Sequence, residues 1–432
     1  MIMSYNIITL LLTIHCIIIH INAASDCFSS DEDNYKCRIG TRTPYRFIAN
    51  YNDSQLNYPG YTAKKIWLLI RHGTRFPSTG DSSQMINVLP KLKEQIIEHF
   101  ETNQSSVSTD AIKELIKWNL TLDIDDQMKL AEEGEREHVD LAERFQERFP
   151  DVLSEIYSND TYRFKYTASQ RTEESAKYFT IGLFGYNASQ NVWYPEAEEI
   201  DLVLRSYKTC DRWQSEVNKN PKTLNEISER LGFRIDYGNQ TLSISLVLYS
   251  SCGFETAWTE NVNSPWCKFL SLDNLKVMEY VEDLDKFWTD GYGFSLTYEQ
   301  TCPTLIDVFQ FFETESEQKA TVYFSHSGTI LKLLAHLGLA KDAIPLTHDS
   351  FELHQDTRAW RSSRIDAFAT NIGFVLYDEE DEPSILVMHQ ERVVQIPGCP
   401  EDLPCPISRM KEIFAKSLYE CNYEEMCKLI DD

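Results

Sequence analysis

A run of five apolar residues, Ile66-Trp67-Leu68-Leu69-Ile70, ends directly in Arg71-His72-Gly73-Thr74-Arg75-Phe76-Pro77. The run does not alternate with polar residues, so it reads as a strand buried on both faces, the habit of parallel strands in α/β proteins. Such a strand constrains the rest of the chain: both faces need covering, and ligands bind beyond the carboxyl ends of the strands. What this strand delivers there is an imidazole between two guanidinium groups. Guanidinium forks suit phosphate and an imidazole can act as a nucleophile, whereas two cations bracketing a histidine have no use in holding a strand end. Gly73 is expected to let the backbone come close to a ligand.

The arrangement recurs twice. Tyr162 to Ser169, rich in aromatic and β-branched residues, reads as a strand running into Gln170-Arg171 and a helical stretch, which puts an arginine at a helix start, where anions are favoured. Thr321 to Phe324 reads as a short buried strand ending in Ser325-His326-Ser327-Gly328, and behind it Ile330, Leu334 and Leu337 mark a packed helix closed by Gly338. Three strand ends, each offering a cation or an imidazole, are the pattern of one crevice assembled from several loops. On this reading His72 attacks phosphorus, Arg71, Arg75 and Arg171 clamp the phosphoryl oxygens, and His326 donates a hydrogen bond to the same group. Arginines can neutralise the charge and no His-Glu-x-x-His or Cys-x-x-Cys metal spacing occurs, so neither a metal nor another cofactor is expected, and no Gly-x-Ser-x-Gly elbow points to a serine hydrolase.

Elsewhere, a polar loop through Gly80 precedes a helix from Met85 to Phe100, and a second helix spans roughly Lys129 to Phe149, with Leu141, Phe145 and Phe149 on one face. From about Asn191 to Cys302 the texture changes to long amphipathic helices, in which Val277, Val281, Leu284 and Trp288 keep helical spacing before Gly291. The expected organisation is a discontinuous α/β domain, 25–190 and 303–432, with a mainly helical domain, 191–302, inserted. Strands at Phe374 to Tyr377 and Ile385 to Met388 complete the sheet, followed by a last helix carrying Met410, Ile413, Phe414 and Leu418.

The 67 acidic against 41 basic side chains give a formal charge of −26, which argues against nucleic acid as a partner but not against a small phosphate ester held in a local cationic focus. Residues 1–24, with an apolar run from Ile7 to Ile19 and the small pair Ala23-Ala24, read as a secretory signal peptide; the run is shorter than the ~20 residues that span a bilayer. Removing it takes Cys16 and leaves ten of the eleven cysteines, an even number suited to disulfides whose pairing the sequence leaves open. Sequons at Asn52, Asn103, Asn119, Asn159, Asn187 and Asn239 agree with a secreted or ER-lumenal glycoprotein. No later apolar segment reaches membrane length.

Arg71 to Pro77 resembles the nucleophile motif of the histidine acid phosphatases. Gly40-Thr41-Arg42-Thr43-Pro44-Tyr45, Leu130 to Glu137, Arg171 with Ser175-Ala176, Ser264-Pro265-Trp266-Cys267, Asp283 to Gly293 and Pro397-Gly398-Cys399 are similar to the multiple inositol polyphosphate phosphatase branch. The resemblance implies a phosphoglycerate mutase-like α/β sandwich with an inserted helical domain and a phosphohistidine intermediate. It also implies action on inositol hexakisphosphate and lower inositol polyphosphates, and on 2,3-bisphosphoglycerate. Arg42, where the family usually has Lys, and Thr74 are expected to bind substrate. A phosphomutase of the same superfamily fits poorly with a signal peptide and sequons. The sequence departs from the family after the second histidine, where an Asp at the next position or a Glu one further on protonates the leaving group. Ser327 and Gly328 stand there, so the proton donor is unassigned, and Asp349 and Glu352 are the carboxylates on a nearby loop. The expectation attached to Gly328 is that Gly328→Glu restores an acid. The competing reading is a secreted polyanion-binding protein with weakened turnover.

Overall fold

The computed structural model describes residues 27–28, 34–52, 56, 58, 60–104, 107–218, 239–258, 264–379, 382–401 and 404–429. The expected signal peptide and the asparagine side chain at position 239 lie outside them. Among the described residues a seven-stranded mixed sheet forms from β1 (Thr62–Arg71), β2 (Tyr162–Tyr166), β3 (Ala320–Ser325), β4 (Asn371–Asp378), β5 (Ser384–His389), β6 (Arg392–Val393) and β7 (Cys405–Pro406). The order is β2-β3-β1-β4-β5-β6, with β7 beside β5. β2, β3 and β1 are mutually parallel, whereas β4 runs antiparallel to β1, as does β5 to β4. In the parallel part the register sets Arg71 beside Ser325 and Tyr166 beside Phe324, so three strands end level with one another.

The unbroken apolar run in β1 has its explanation in two cores. Trp67 and Leu69 point into one with Leu284, Trp288, Leu305, Val308, Ile330 and Leu334. Ile66, Leu68 and Ile70 point into the other, with Leu141, Phe145, Phe179 and Leu183. All five are fully buried, each worth roughly 1.5–3 kcal/mol relative to exposure. The second core is roofed by α3 (Glu132–Arg148) and α4 (Gln170–Ser189), the first by the helices Leu272–Asp290, Cys302–Glu313 and Ser327–His336. A third cluster joins α1 (Thr79–Glu101) and α2 (Thr109–Lys117) to the helix Asn239–Trp258 through Met85, Leu89, Leu115, Leu248 and Trp266.

The polar loop expected through Gly80 is shorter than the sequence suggests: Ser78 caps α1 by accepting from the Asp81 amide, so the helix begins at Thr79. The helix expected to carry Met410 to Leu418 is split in two, Ile407–Ile413 and Ala415–Tyr419, and a further short helix, Tyr423–Cys427, follows. The ten cysteines after Cys16 form five disulfides: Cys27–Cys37, Cys210–Cys427, Cys252–Cys267, Cys302–Cys421 and Cys399–Cys405. Among the described residues no helix is long and apolar enough to cross a membrane.

Candidate active site

The level ends of β1, β3 and β2 bring their loops together. His72 follows β1 directly and is buried, with its ring centroid 5.5 Å from that of His326, the residue capping the helix Ser327–His336. Nδ1 of His72 lies 2.9 Å from the Gly73 carbonyl. A carbonyl only accepts, so Nδ1 carries the proton and Nε2 keeps its lone pair. Burial first, then the charges of Arg171 and Arg71, His326 and Arg75, hold the pKa of His72 well below the ordinary imidazole value. His72 is thus neutral, with Nε2 available as a nucleophile.

His326 is held from both sides. Arg171 Nη2, which can only donate, lies 3.3 Å from His326 Nδ1, so the ring proton sits on Nε2 and is donated to Thr167 Oγ1 at 2.9 Å. Burial and then Arg171 keep this imidazole neutral too. For His326 to donate to a phosphoryl oxygen, one of these bonds must be exchanged, and an arriving phosphate competes for Arg171.

Four of the cations meet here. Arg71 donates through Nη1 to the Thr41 carbonyl at 2.9 Å and to the Asp366 carbonyl, and its guanidinium stacks on Phe368. Arg75 and Arg42 both lie by the ring of Phe254, at 5.6 and 5.4 Å from its centre. Burial and the charge of Arg71 push Arg75 down to about 9, and burial with Arg205 pushes Arg171 down to about 10, values that leave both cationic at neutral pH. Arg42 is paired with Glu282 at 2.8 Å. Nε of Arg42, Arg71 and Arg171 is buried without a hydrogen-bond partner, an arrangement that an anion would satisfy.

Two glycines and Thr74 serve the loop itself. A Cβ on Gly73 would come within 2.6 Å of the Gly134 backbone in α3, so this glycine admits a neighbouring helix where a close approach to ligand was expected. Thr74 is fully buried and gives its amide and hydroxyl protons to Glu137, at 2.6 and 2.9 Å. The expected alternative acids are elsewhere: Asp349 and Glu352 are exposed and bonded locally, to Thr347 and Gln355. A Cβ on Gly328 would meet Asp290 Oδ1 at 3.1 Å and Lys332 Nζ at 3.6 Å, so Gly328→Glu directs a carboxylate at an existing ion pair instead of open space.

Sequence reasoning missed Arg205 and Asp366. Arg205 ends the short helix α5 (Leu202–Arg205), capped by Asp201; Ser325 and Thr329 both donate to the Leu204 carbonyl, at 2.7 and 2.6 Å, which pins that helix end against the His326 loop. Its charge acts on Arg171 and His326, and its Nε is buried without a partner. No local signal marks it. Asp366, in the loop before β4, is fully buried against Arg71, with Oδ1 3.5 Å from Nη1.

The profile of the histidine phosphatase superfamily (branch 2) matches residues 63–390. The chain is 32% identical to "Multiple inositol polyphosphate phosphatase 1" of Drosophila melanogaster, across 86% of this chain and 84% of the relative. It is 26% identical to the Homo sapiens protein of that name, across 90% and 88%. Its fold is similar to that of a phytase from D. castellii (TM-score 0.68, 17% identity, 94% and 92% covered). It is also similar to Bifidobacterium longum multiple inositol polyphosphate phosphatase in complex with inositol hexasulfate (TM-score 0.63, 14% identity, 84% and 94% covered). The chain is a phosphatase that belongs to branch 2 of the histidine phosphatase superfamily.

Proposed function

We propose that this phosphatase removes phosphates from inositol polyphosphates, inositol hexakisphosphate among them, through a phosphohistidine at His72. The observation that carries the reading is the buried His72, its Nε2 left unprotonated, within reach of the charges of Arg71 and Arg171, whose Nε groups are buried without partners. His72 Nε2 attacks phosphorus while Arg71, Arg75 and Arg171 neutralise the equatorial oxygens, and water then releases phosphate from the histidine. Arg42 and Arg205 extend the cationic surface beyond one phosphate, which suits a ring carrying several; 2,3-bisphosphoglycerate, with two phosphates on a small frame, fits the same cations. The relatives named inositol polyphosphate phosphatases support this substrate class. Five disulfides and the exposure of Asn52, Asn103, Asn119, Asn159 and Asn187 support an oxidising, glycosylating secretory compartment.

Phosphate release from inositol hexakisphosphate, measured from pH 4 to 8 with wild type and His72→Ala, tests the proposal. Release is expected from wild type and background only from the variant. Equal release from both sinks it, and wild-type binding without release would favour the polyanion-binding reading suggested by Ser327 and Gly328.

A further inference from the structure

The helix Ser327–His336 starts between two buried carboxyl groups in opposite environments. Asp290 is bonded to Lys332 and lies 3.4 Å from Lys286; against the cost of burial these lysines hold its carboxyl down at about 2. It is ionised at any working pH and has no proton to give. Asp366 is pushed up to about 6, by burial first, with Asp290 acting in the same sense and Arg71, Ser327 and Lys286 opposing. Of the two, only Asp366 can carry a proton in mildly acidic solution. The hydroxyl of Ser327 donates to Asp366 Oδ2, and Oδ1 accepts no hydrogen bond. Ser327 is half-buried and follows His326 directly, whereas Asp366 is fully buried behind it and contacts Arg71 on its other side. The pair therefore links the cationic pocket to the position next to the second histidine.

We propose that Asp366 and Ser327 form the proton relay of this phosphatase, with Asp366 as the proton store and Ser327 Oγ as the group that meets the leaving oxygen. When Asp366 is protonated the hydrogen bond reverses, Oδ2–H donating to Ser327 Oγ and freeing the hydroxyl proton. As His72 Nε2 bonds to phosphorus and the ester P–O bond breaks, the departing alkoxide takes the Ser327 proton and Ser327 takes the Asp366 proton. In the second half-reaction water passes a proton through Ser327 to the Asp366 carboxylate; its oxygen bonds to phosphorus as the P–N bond breaks, releasing inorganic phosphate. Asp366 is a positioning and proton-storing residue that acts through Ser327. The relay rests on the proposed histidine mechanism, but not on the identity of the natural substrate.

The test compares wild type, Asp366→Asn and Ser327→Ala on phenyl phosphate, a poor leaving group, and p-nitrophenyl phosphate, a good one. Both variants are expected to lose ~10²–10⁴ in kcat/KM on phenyl phosphate and far less on p-nitrophenyl phosphate, whose leaving group needs little protonation. Wild-type kcat/KM on phenyl phosphate falls as pH rises through about 6, and this limb disappears in Asp366→Asn. Inhibition by inorganic phosphate stays within a few-fold of wild type, because Arg71 keeps its bond to the Asp366 main-chain carbonyl. Equal losses on the two esters, or the limb retained in Asp366→Asn, overturn the relay. A wild type that cleaves both aryl esters but not inositol hexakisphosphate overturns the substrate reading instead, and the ester comparison decides the relay by itself.

Discussion

At His72 a single contact does most of the chemical preparation. Nδ1–H donates to the Gly73 carbonyl and burial among arginines keeps the ring neutral, so Nε2 stays nucleophilic even where an ordinary histidine is protonated. The depressed pKa means that activity is lost on the acid side only well below the usual imidazole value. Asp366, by contrast, is protonated only below about 6. The two groups are in their working forms together in mildly acidic solution. Arg205 adds its charge to those acting on Arg171 and His326. Charge-assisted hydrogen bonds are worth about 1.5–3 kcal/mol, so Arg205→Ala should cost ~10–100-fold in kcat/KM on inositol hexakisphosphate. The loss should be smaller on p-nitrophenyl phosphate, which has one phosphoryl group to hold. Equal losses on both would place Arg205 at the reacting phosphate itself.

Among the elements, α3 shapes the nucleophile loop. Its first turn presses Gly134 against the loop, where a Cβ would come 2.3 Å from the Thr74 carbonyl, and one turn on Glu137 accepts from the Thr74 amide and hydroxyl and from the Tyr45 amide. Alanine at position 134 would favour the helix by about 1 kcal/mol, but overpacking against backbone costs about 1–3 kcal/mol, and neither backbone can yield cheaply. Gly134→Ala should therefore lower both the melting temperature and kcat; a stabilised, fully active variant would show that the loop can retreat. Which parts of the site were legible follows from how each is placed. Arg71, His72, Arg171 and His326 sit at the ends of hydrophobic runs, so a local pattern announces them. Arg205 is brought in by bonds from Ser325 and Thr329 to Leu204, and Asp366 by Arg71 and Ser327, contacts across more than a hundred or a few tens of residues that leave no local trace. The Ser264-Pro265-Trp266-Cys267 segment was visible as a resemblance; its work is bracing. Ser264 donates to Glu255, Trp266 packs edge-on to Trp118, and Cys267 is joined to Cys252 on the helix that sets Phe254 beside Arg42 and Arg75.

Over the whole molecule, burial of titratable groups sets how stability follows pH. Five histidines, the buried His72, His138 and His326 and the half-buried His336 and His389, have pKa values below that of the unfolded chain, chiefly through desolvation. The unfolded state binds their protons first as pH falls through about 6.5, so they cost stability in acid. Buried and half-buried carboxyls work the other way. Burial raises Glu137, Glu255, Asp283 and Asp366, so the folded state binds their protons first and gains stability as pH falls toward the unfolded value near 4. The two groups oppose one another over the same range, which keeps the fold stable where the catalytic pair is in its working form. Glu255 isolates the carboxyl side, because it lies outside the catalytic pocket and is pushed up to about 7 by burial, against hydrogen bonds from Ser264 and Trp118. Glutamine mimics its protonated form, accepting from Trp118 Nε1 and donating to Ser264 Oγ. At pH 8 the wild type bears the cost of an ionised, half-buried carboxylate, at most about 3 kcal/mol from a shift of that size and less once solvent screening is allowed for, and Glu255→Gln is relieved of it. The variant should melt a few degrees higher than wild type at pH 8, with the gain shrinking several-fold by pH 5, as thermal denaturation at the two pH values would read directly. A variant less stable than wild type at pH 8 would mean that the Glu255 carboxylate is ionised there to advantage, and the opposition between histidines and carboxyls would lose one of its members.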